Sequence, residues 1–197
     1  MNGLSGAIRK PDLLLCKEGV ITKWVTQQEK FDMRTNIYSI EEVKKKYSEE
    51  YKKDSYVELA RKAAFLLEAQ DGCCAVPGIQ LLGTAIILTL FDWGGSISTY
   101  PLDIHLFPQQ FLCILLSITF TEGTMLSFDP TISPAQNSQK TIQIVKQGKE
   151  YHILVDMLPF FSSLLHSWGT TMWSGKVTFD KEEQDVIIKD LWVDLLR

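Results

Sequence analysis

The stretch that decides the fold is Phe161 to Val193, FSSLLHSWGTTMWSGKVTFDKEEQDVIIKDLWV. Three runs rich in β-branched and aromatic residues are separated by turn-forming residues, a strand pattern rather than a helical one. The first is centred on Ser163 to Ser167 and the second on Thr171 to Phe179. After a charged turn from Asp180 to Asp185, the third spans Val186 to Val193. Gly169 stands in the first turn. Lys189 lies inside the third strand, and period-two alternation puts it on the face shared by Ile187 and Leu191. An ammonium on an apolar strand face needs either a carboxylate or phosphate partner, or access to water at an edge.

Working outward from there, Thr141–Lys146 and Tyr151–Val155 form a hairpin around Gln147-Gly148-Lys149. Glu122 to Gln139 is rich in Ser, Thr, Pro and Asn and reads as loop. A helix is expected from Phe107 to Phe120, with Pro108 accommodated in its first turn. Before it, Ile79–Leu82 and Thr84–Phe91 read as strands, and Asp92-Trp93-Gly94-Gly95 as a turn into Ser96–Thr99. Ser39-Ile40-Glu41-Glu42 has the spacing of a capping box. A long helix is therefore expected from Ile40 to about Gln70. Its first half carries Glu42 with Lys46 and Glu49 with Lys53 four residues apart. Its second half carries the apolar stripe Tyr56, Leu59, Ala63, Leu66 and Leu67, and Asp71-Gly72 ends it. At the front, Asp12–Cys16 and Val20–Val25 read as two short strands, followed by a polar loop from Gln27 to Asn36. The fold class is α+β, a mixed or antiparallel sheet with two principal helices followed by three further strands. The boundary expected from composition separates residues 1–139 from residues 140–197.

Composition narrows the function classes. The 197 residues are 45% hydrophobic and 22% charged, the balance of a globular chain. A net charge of -4 gives no global attraction to nucleic acid or to an anionic membrane. The most apolar runs, Ile79–Leu90 and Phe111–Phe120, fall short of the roughly 20 residues that span a bilayer. No secretory signal opens the chain, so an intracellular protein is expected, in cytoplasm or nucleus. Cys16, Cys73, Cys74 and Cys113 lack zinc-site spacing and read as buried free thiols. His105, His152 and His166 have no ligand-like mutual spacing. Gly94-Gly95-Ser96-Ile97-Ser98 lacks the last Gly of a nucleophile elbow. No metal site is expected, and the Lys44–Lys46 and Lys52–Lys53 runs, mixed with acids, read as a solvated face.

Read in order, several short segments resemble one family. Gly169-Thr170-Thr171-Met172-Trp173 followed by Ile188-Lys189-Asp190-Leu191-Trp192 is similar to the small-lobe signature of fungal-type protein kinases. That family shows Gly-Arg-Gly-Thr, an aromatic soon after, then Ile/Val-Lys-Asp-x-Trp. Arg9-Lys10-Pro11-Asp12, Leu90-Phe91-Asp92 with Gly95, and Phe128-Asp129-Pro130-Thr131 resemble the family's upstream landmarks. The resemblance implies ATP as cofactor, with Lys189 toward the α and β phosphates and Gly169 and Thr170 in the turn over them. Departures are visible. Ser167 and Trp168 replace Gly-Arg, and Trp93 and Gly94 replace Arg-Ser. No His-Arg-Asp loop and no Asp-Phe-Gly segment occur in the 197 residues.

Those absences imply a truncated kinase front end, with ATP binding weak or absent, no catalytic residue assigned and no phosphoryl transfer by the chain alone. Two other roles fit the same residues. An incomplete lobe would leave Ile187, Leu191, Trp192, Val193, Leu195 and Leu196 open to a protein partner or to self-association. The front region also has a remote likeness to restriction-endonuclease folds, in which a Pro-Asp strand is followed by a Glu-x-Lys strand and a helix. Pro11-Asp12 fits that plan. Gln27-Gln28-Glu29-Lys30 does not supply Glu-x-Lys, so Asp12 and Glu29 are not expected to hold a metal.

Overall fold

The computed structural model describes residues 12–16, 37–70, 72–120, 128–134, 140–161, 170–179 and 182–190. The architecture is α+β, with two principal helices and two sheets among the described residues. The first sheet has six strands: β1 (Leu13–Cys16), β2 (Ile37–Lys44), β3 (Ala75–Leu82), β4 (Ala85–Asp92), β5 (Gly95–Ser98) and β6 (Leu102–Asp103). Strands β1 to β5 lie in sequence order, and β6 pairs β4. Only β2 and β3 run parallel, because helix α1 (Glu49–Ala69) carries the chain back between them.

Strand β3 is buried along almost its whole length, since both faces of the sheet are covered. On one face α1 packs Leu59, Ala63, Leu66 and Leu67 against Ile40, Val76, Phe91 and Trp93. On the other, helix α2 (Pro108–Phe120) brings Phe111, Ile114 and Ile118 against Ile79 and Ile86. Alternation along β3 sorts the two cores: Val76 faces α1 and Ile79 faces α2. The expected stripe on the first helix is thus the stripe that packs.

The start of that helix is corrected. Ser39 to Glu42 belong to β2, and the helix begins at Glu49. Ser48 is the N-cap, its hydroxyl accepting from the Tyr51 amide at 3.1 Å. Ser39 is fully buried and donates to Glu41 at 2.9 Å. Tertiary pairing wins here: Ile40 fills the α1 core, and β2 bonds to strands on both sides. Glu42 and Lys46 are therefore not helical neighbours, and the Lys45 and Lys46 side chains are exposed ahead of the helix. At the other end Gly72 takes φ +77°, the left-handed geometry that glycine adopts without penalty.

The second sheet is antiparallel throughout, in the order β11 (Glu182–Asp190), β10 (Thr171–Phe179), β9 (Lys149–Phe161), β8 (Lys140–Lys146) and β7 (Ile132–Pro134). Gln147 and Gly148, both at positive φ, close the expected β8–β9 hairpin. Three boundaries differ from the sequence expectation. Ile132–Pro134, inside the expected loop, is a strand because it pairs Lys140–Ile142. The 180s turn is tighter than expected: Phe179 already faces Glu182, and Glu182 to Asp185 are strand. The strand paired to β10 on its other side is the long β9. The segments Val20–Val25, Gln27–Asn36 and Ser163–Ser167 lie outside the described residues.

Asp129 ties the two sheets together. Its amide donates to the Gly72 carbonyl at 2.7 Å, and its carboxylate accepts from the Thr131 amide at 2.8 Å and hydroxyl at 2.7 Å. Among the described residues, no helix is long and apolar enough to cross a membrane.

Candidate functional site

Strands β9, β10 and β11 form a continuous antiparallel layer, and its two faces differ. One carries Trp173, 3% exposed, packed with Ile142, Val155 and Ile188. The register pairs Trp173 with Ile188, so both side chains enter this small core. Gly175 lies at an irregularity in the β9–β10 register. A Cβ there would sit 2.4 Å from the Leu154 carbonyl oxygen, so only glycine fits.

The opposite face holds the candidate site. Lys189 pairs with Met172, and Ile187 with Ser174. Alternation places all four side chains on the side away from Trp173. Lys189 is exposed and Ile187 is 70% exposed. No ion-pair partner for the Lys189 ammonium exists among the described residues, in contrast to Lys176, which meets Glu183 at 2.9 Å. Thr170, half-buried, directly precedes β10, whose first residue pairs with Asp190. The structure thus brings Thr170 and Lys189 to the same end of the layer. Gly169, Ser167, Trp168, Leu191 and Trp192 lie outside the described residues.

With that geometry in view, the comparisons decide the family. The family model described as "Fungal protein kinase" matches residues 10–197. The chain belongs to the fungal protein kinase family. No curated protein and no solved structure matches it.

Other segments of the family resemblance have structural roles in this member. Phe91, at 2% exposure, anchors the α1 core, and the Asp92 carboxylate accepts from the Gly94 and Gly95 amides, both at 2.8 Å. Trp93, where the family has Arg, is buried in the same core. Phe128 meets Tyr38 edge-on at 5.7 Å and bridges Cys73. The first of these segments builds the α1 core and the β4–β5 turn, and the second the joint between sheets.

Sequence reasoning missed one charged cluster because it read residues 39–42 as a helix cap. On strand β2, Glu42 and Lys44 point to the same face, toward α1. Glu42, 2% exposed, forms a buried ion pair with Lys62. Lys44 bridges Glu42 at 3.5 Å and Glu58 at 3.3 Å. A Glu-x-Lys strand is therefore present, at Glu42-Val43-Lys44, contrary to the sequence expectation. Asp12 directly precedes the neighbouring strand β1, and its carboxylate accepts from the Val43 amide at 2.7 Å. The Glu42 carboxylate is neutralised by two ammonium groups, and the cluster works as internal charge pairing between α1 and β2. Glu29 lies outside the described residues.

The cysteines are mixed. Cys73 is buried, donates to the Ala75 carbonyl at 3.3 Å, and has its pKa pushed up to about 12 by burial, which makes it inert as a nucleophile. Cys113 is exposed on α2, against the expectation that all four thiols are buried. His105 and His152 are exposed, and His152 meets Glu150 at 3.0 Å.

Proposed function

We propose that residues 140–197 supply the opening strands of a kinase nucleotide lobe. In this reading Lys189 is directed at the α and β phosphates of ATP, and Gly169 and Thr170 lie in the turn above them. The observation that carries it is the position of Lys189: on the third of three antiparallel strands, exposed, with no carboxylate holding its ammonium among the described residues. A bare Lys there is compatible with phosphate as its eventual partner, since a kinase Lys on the third strand meets the phosphates.

The 197 residues alone do not transfer phosphate. Phosphoryl transfer needs a carboxylate to orient the acceptor hydroxyl and ligands for Mg²⁺. Neither a His-Arg-Asp loop nor an Asp-Phe-Gly segment is present in this sequence. In the sequence, Ser167 also replaces the family's first Gly, and a β-carbon at that position works against close backbone approach to phosphate. Nucleotide affinity is accordingly weak or absent. The test is incubation of the purified chain with labelled ATP and Mg²⁺, wild type beside Lys189→Ala. No incorporation into the chain or added substrate is expected. Incorporation abolished by Lys189→Ala would overturn the inactivity.

A second reading has one observation in its favour: among the described residues β11 is the end strand of its sheet, with Ile187 largely uncovered. Such an edge can add a strand from another protein or from a second copy. Proline placed at Ile187 should abolish any partner held by β-strand addition and leave one held elsewhere untouched.

A further inference from the structure

Helix α2 shows an apolar surface that neither kinase chemistry nor the β11 edge explains. Its thirteen residues, PQQFLCILLSITF, include no Asp, Glu, Lys, Arg or His. Phe111, Ile114 and Ile118 face the first sheet. The outward side shows Gln109, Gln110, Ser117 and Thr119, but also four large apolar side chains: Leu112 is 54% exposed, Leu116 52%, Phe120 77% and Leu115 36%. Leu106 at 75% and Phe107 at 44% continue the surface just before the helix. A contiguous exposed apolar patch of this kind marks a contact surface.

We propose that this face is the interface of a two-fold dimer of the chain, with α2 packed antiparallel against α2 of a second copy about Leu116. Three observations select that occupant. The stripe is symmetric: Leu112 and Phe120 each lie four residues from Leu116, so a two-fold axis there sets Leu112 of each copy against Phe120 of the other. Such self-matching is what an isologous contact requires, and ridges at four-residue spacing are the commonest helix-packing surface. The face is also uncharged, so it meets an identical face without leaving a charge unpaired. The exposed area is also of the right order. At roughly 200 Å² per large apolar side chain, the six named side chains expose on the order of 700 Å², close to the roughly 800 Å² per partner of a stable interface. A lipid surface fits less well, because interfacial helices carry Lys and Arg beside their apolar face and α2 has none.

The geometry makes a residue-level demand. At 1.5 Å rise per residue, the two copies of Cys113 are offset by about 9 Å along the helices, beyond the roughly 7 Å limit for a disulfide. A cysteine on the axis at 116 is within reach. The experiment is sedimentation of the full chain over a concentration series, with mild oxidation of three forms: wild type, Cys113→Ser with Leu116→Cys, and Cys113→Ser with Gln110→Cys. A dimer that gives disulfide cross-links only in the Leu116→Cys form is the expected result. Leu116→Asp should sediment at 22.4 kDa with unchanged far-ultraviolet dichroism and a cooperative melt. Should that variant misfold, the cysteine series still decides. A wild type that is monomeric throughout, that binds neutral phosphatidylcholine vesicles as a monomer, or that dimerises without cross-linking at 116 would overturn the proposal. Persistence of the dimer in folded Leu116→Asp would assign it to another surface such as β11.

Discussion

Glu42 and Lys62 show how a buried pair is held in place. Both side chains are almost fully withdrawn from water, and each is the other's main counter-charge. Removing one partner leaves the other charge desolvated and unanswered, which costs about 3–5 kcal/mol. Lys62→Met should fall toward the lower end, because Lys44 remains 3.5 Å from Glu42. The double variant Glu42→Leu with Lys62→Met should recover most of that loss. Urea unfolding of the three variants checks this, and a single variant no weaker than the double would contradict it. Glu41, one residue away, behaves oppositely. Burial raises its pKa above the ordinary 4.5, partly offset by the hydrogen bond from Ser39. A carboxyl group raised in the folded state binds more protons folded than unfolded, so stability falls as pH climbs from about 4.5 through the raised value. Glu41→Gln should therefore be more stable than wild type at pH 7 and similar to it below 4.5. Equal destabilisation at both pH values would show that the Ser39 contact outweighs burial.

At the scale of elements, the sequence was most legible where the period was strong and the turn chemistry local. The stripe of Leu59, Ala63, Leu66 and Leu67, the strands on either side of Gly83, and the Gln147-Gly148 hairpin were all readable from spacing. Residues 39–46 were not. Ser39-Ile40-Glu41-Glu42 has the capping-box spacing and Ser48-Glu49-Glu50-Tyr51 does not, so the local signal favours the wrong start. Parallel pairing with β3 and burial of Ile40 decide for Ser48, and both are long-range. That error also hid Glu42-Val43-Lys44, because two residues apart share a face only on a strand. Ser48→Ala should cost about 1 kcal/mol, whereas Ser39→Ala should leave helix content unchanged. Thermal melts followed by helical dichroism separate the two; a larger helical loss from Ser39→Ala would restore the earlier start. Ile132–Pro134 escaped for a similar reason, since three residues carry too little periodicity and their partner strand begins six residues later.

For the whole molecule, one sheet is sandwiched by two helices and a second is joined to it through Asp129 and Phe128. The family membership was legible because short segments fell in the right order, although several of them proved to be packing devices. The candidate site was legible only in part. Alternation foretold the face of Lys189, but not that the face would be open to water, because exposure depends on what else packs there. The proposed function rests on one arrangement, in which β10 and β11 run antiparallel with Lys189 beside Met172 and away from Trp173. The direct measurement is a nuclear Overhauser map of the isotope-labelled chain. Cross-strand contacts pairing Met172 with Lys189 and Trp173 with Ile188, with the Ile188 methyls against the Trp173 indole, are the expected result. A register shifted by one residue, placing the Lys189 side chain against Trp173 and turning Ile188 outward, would contradict the account.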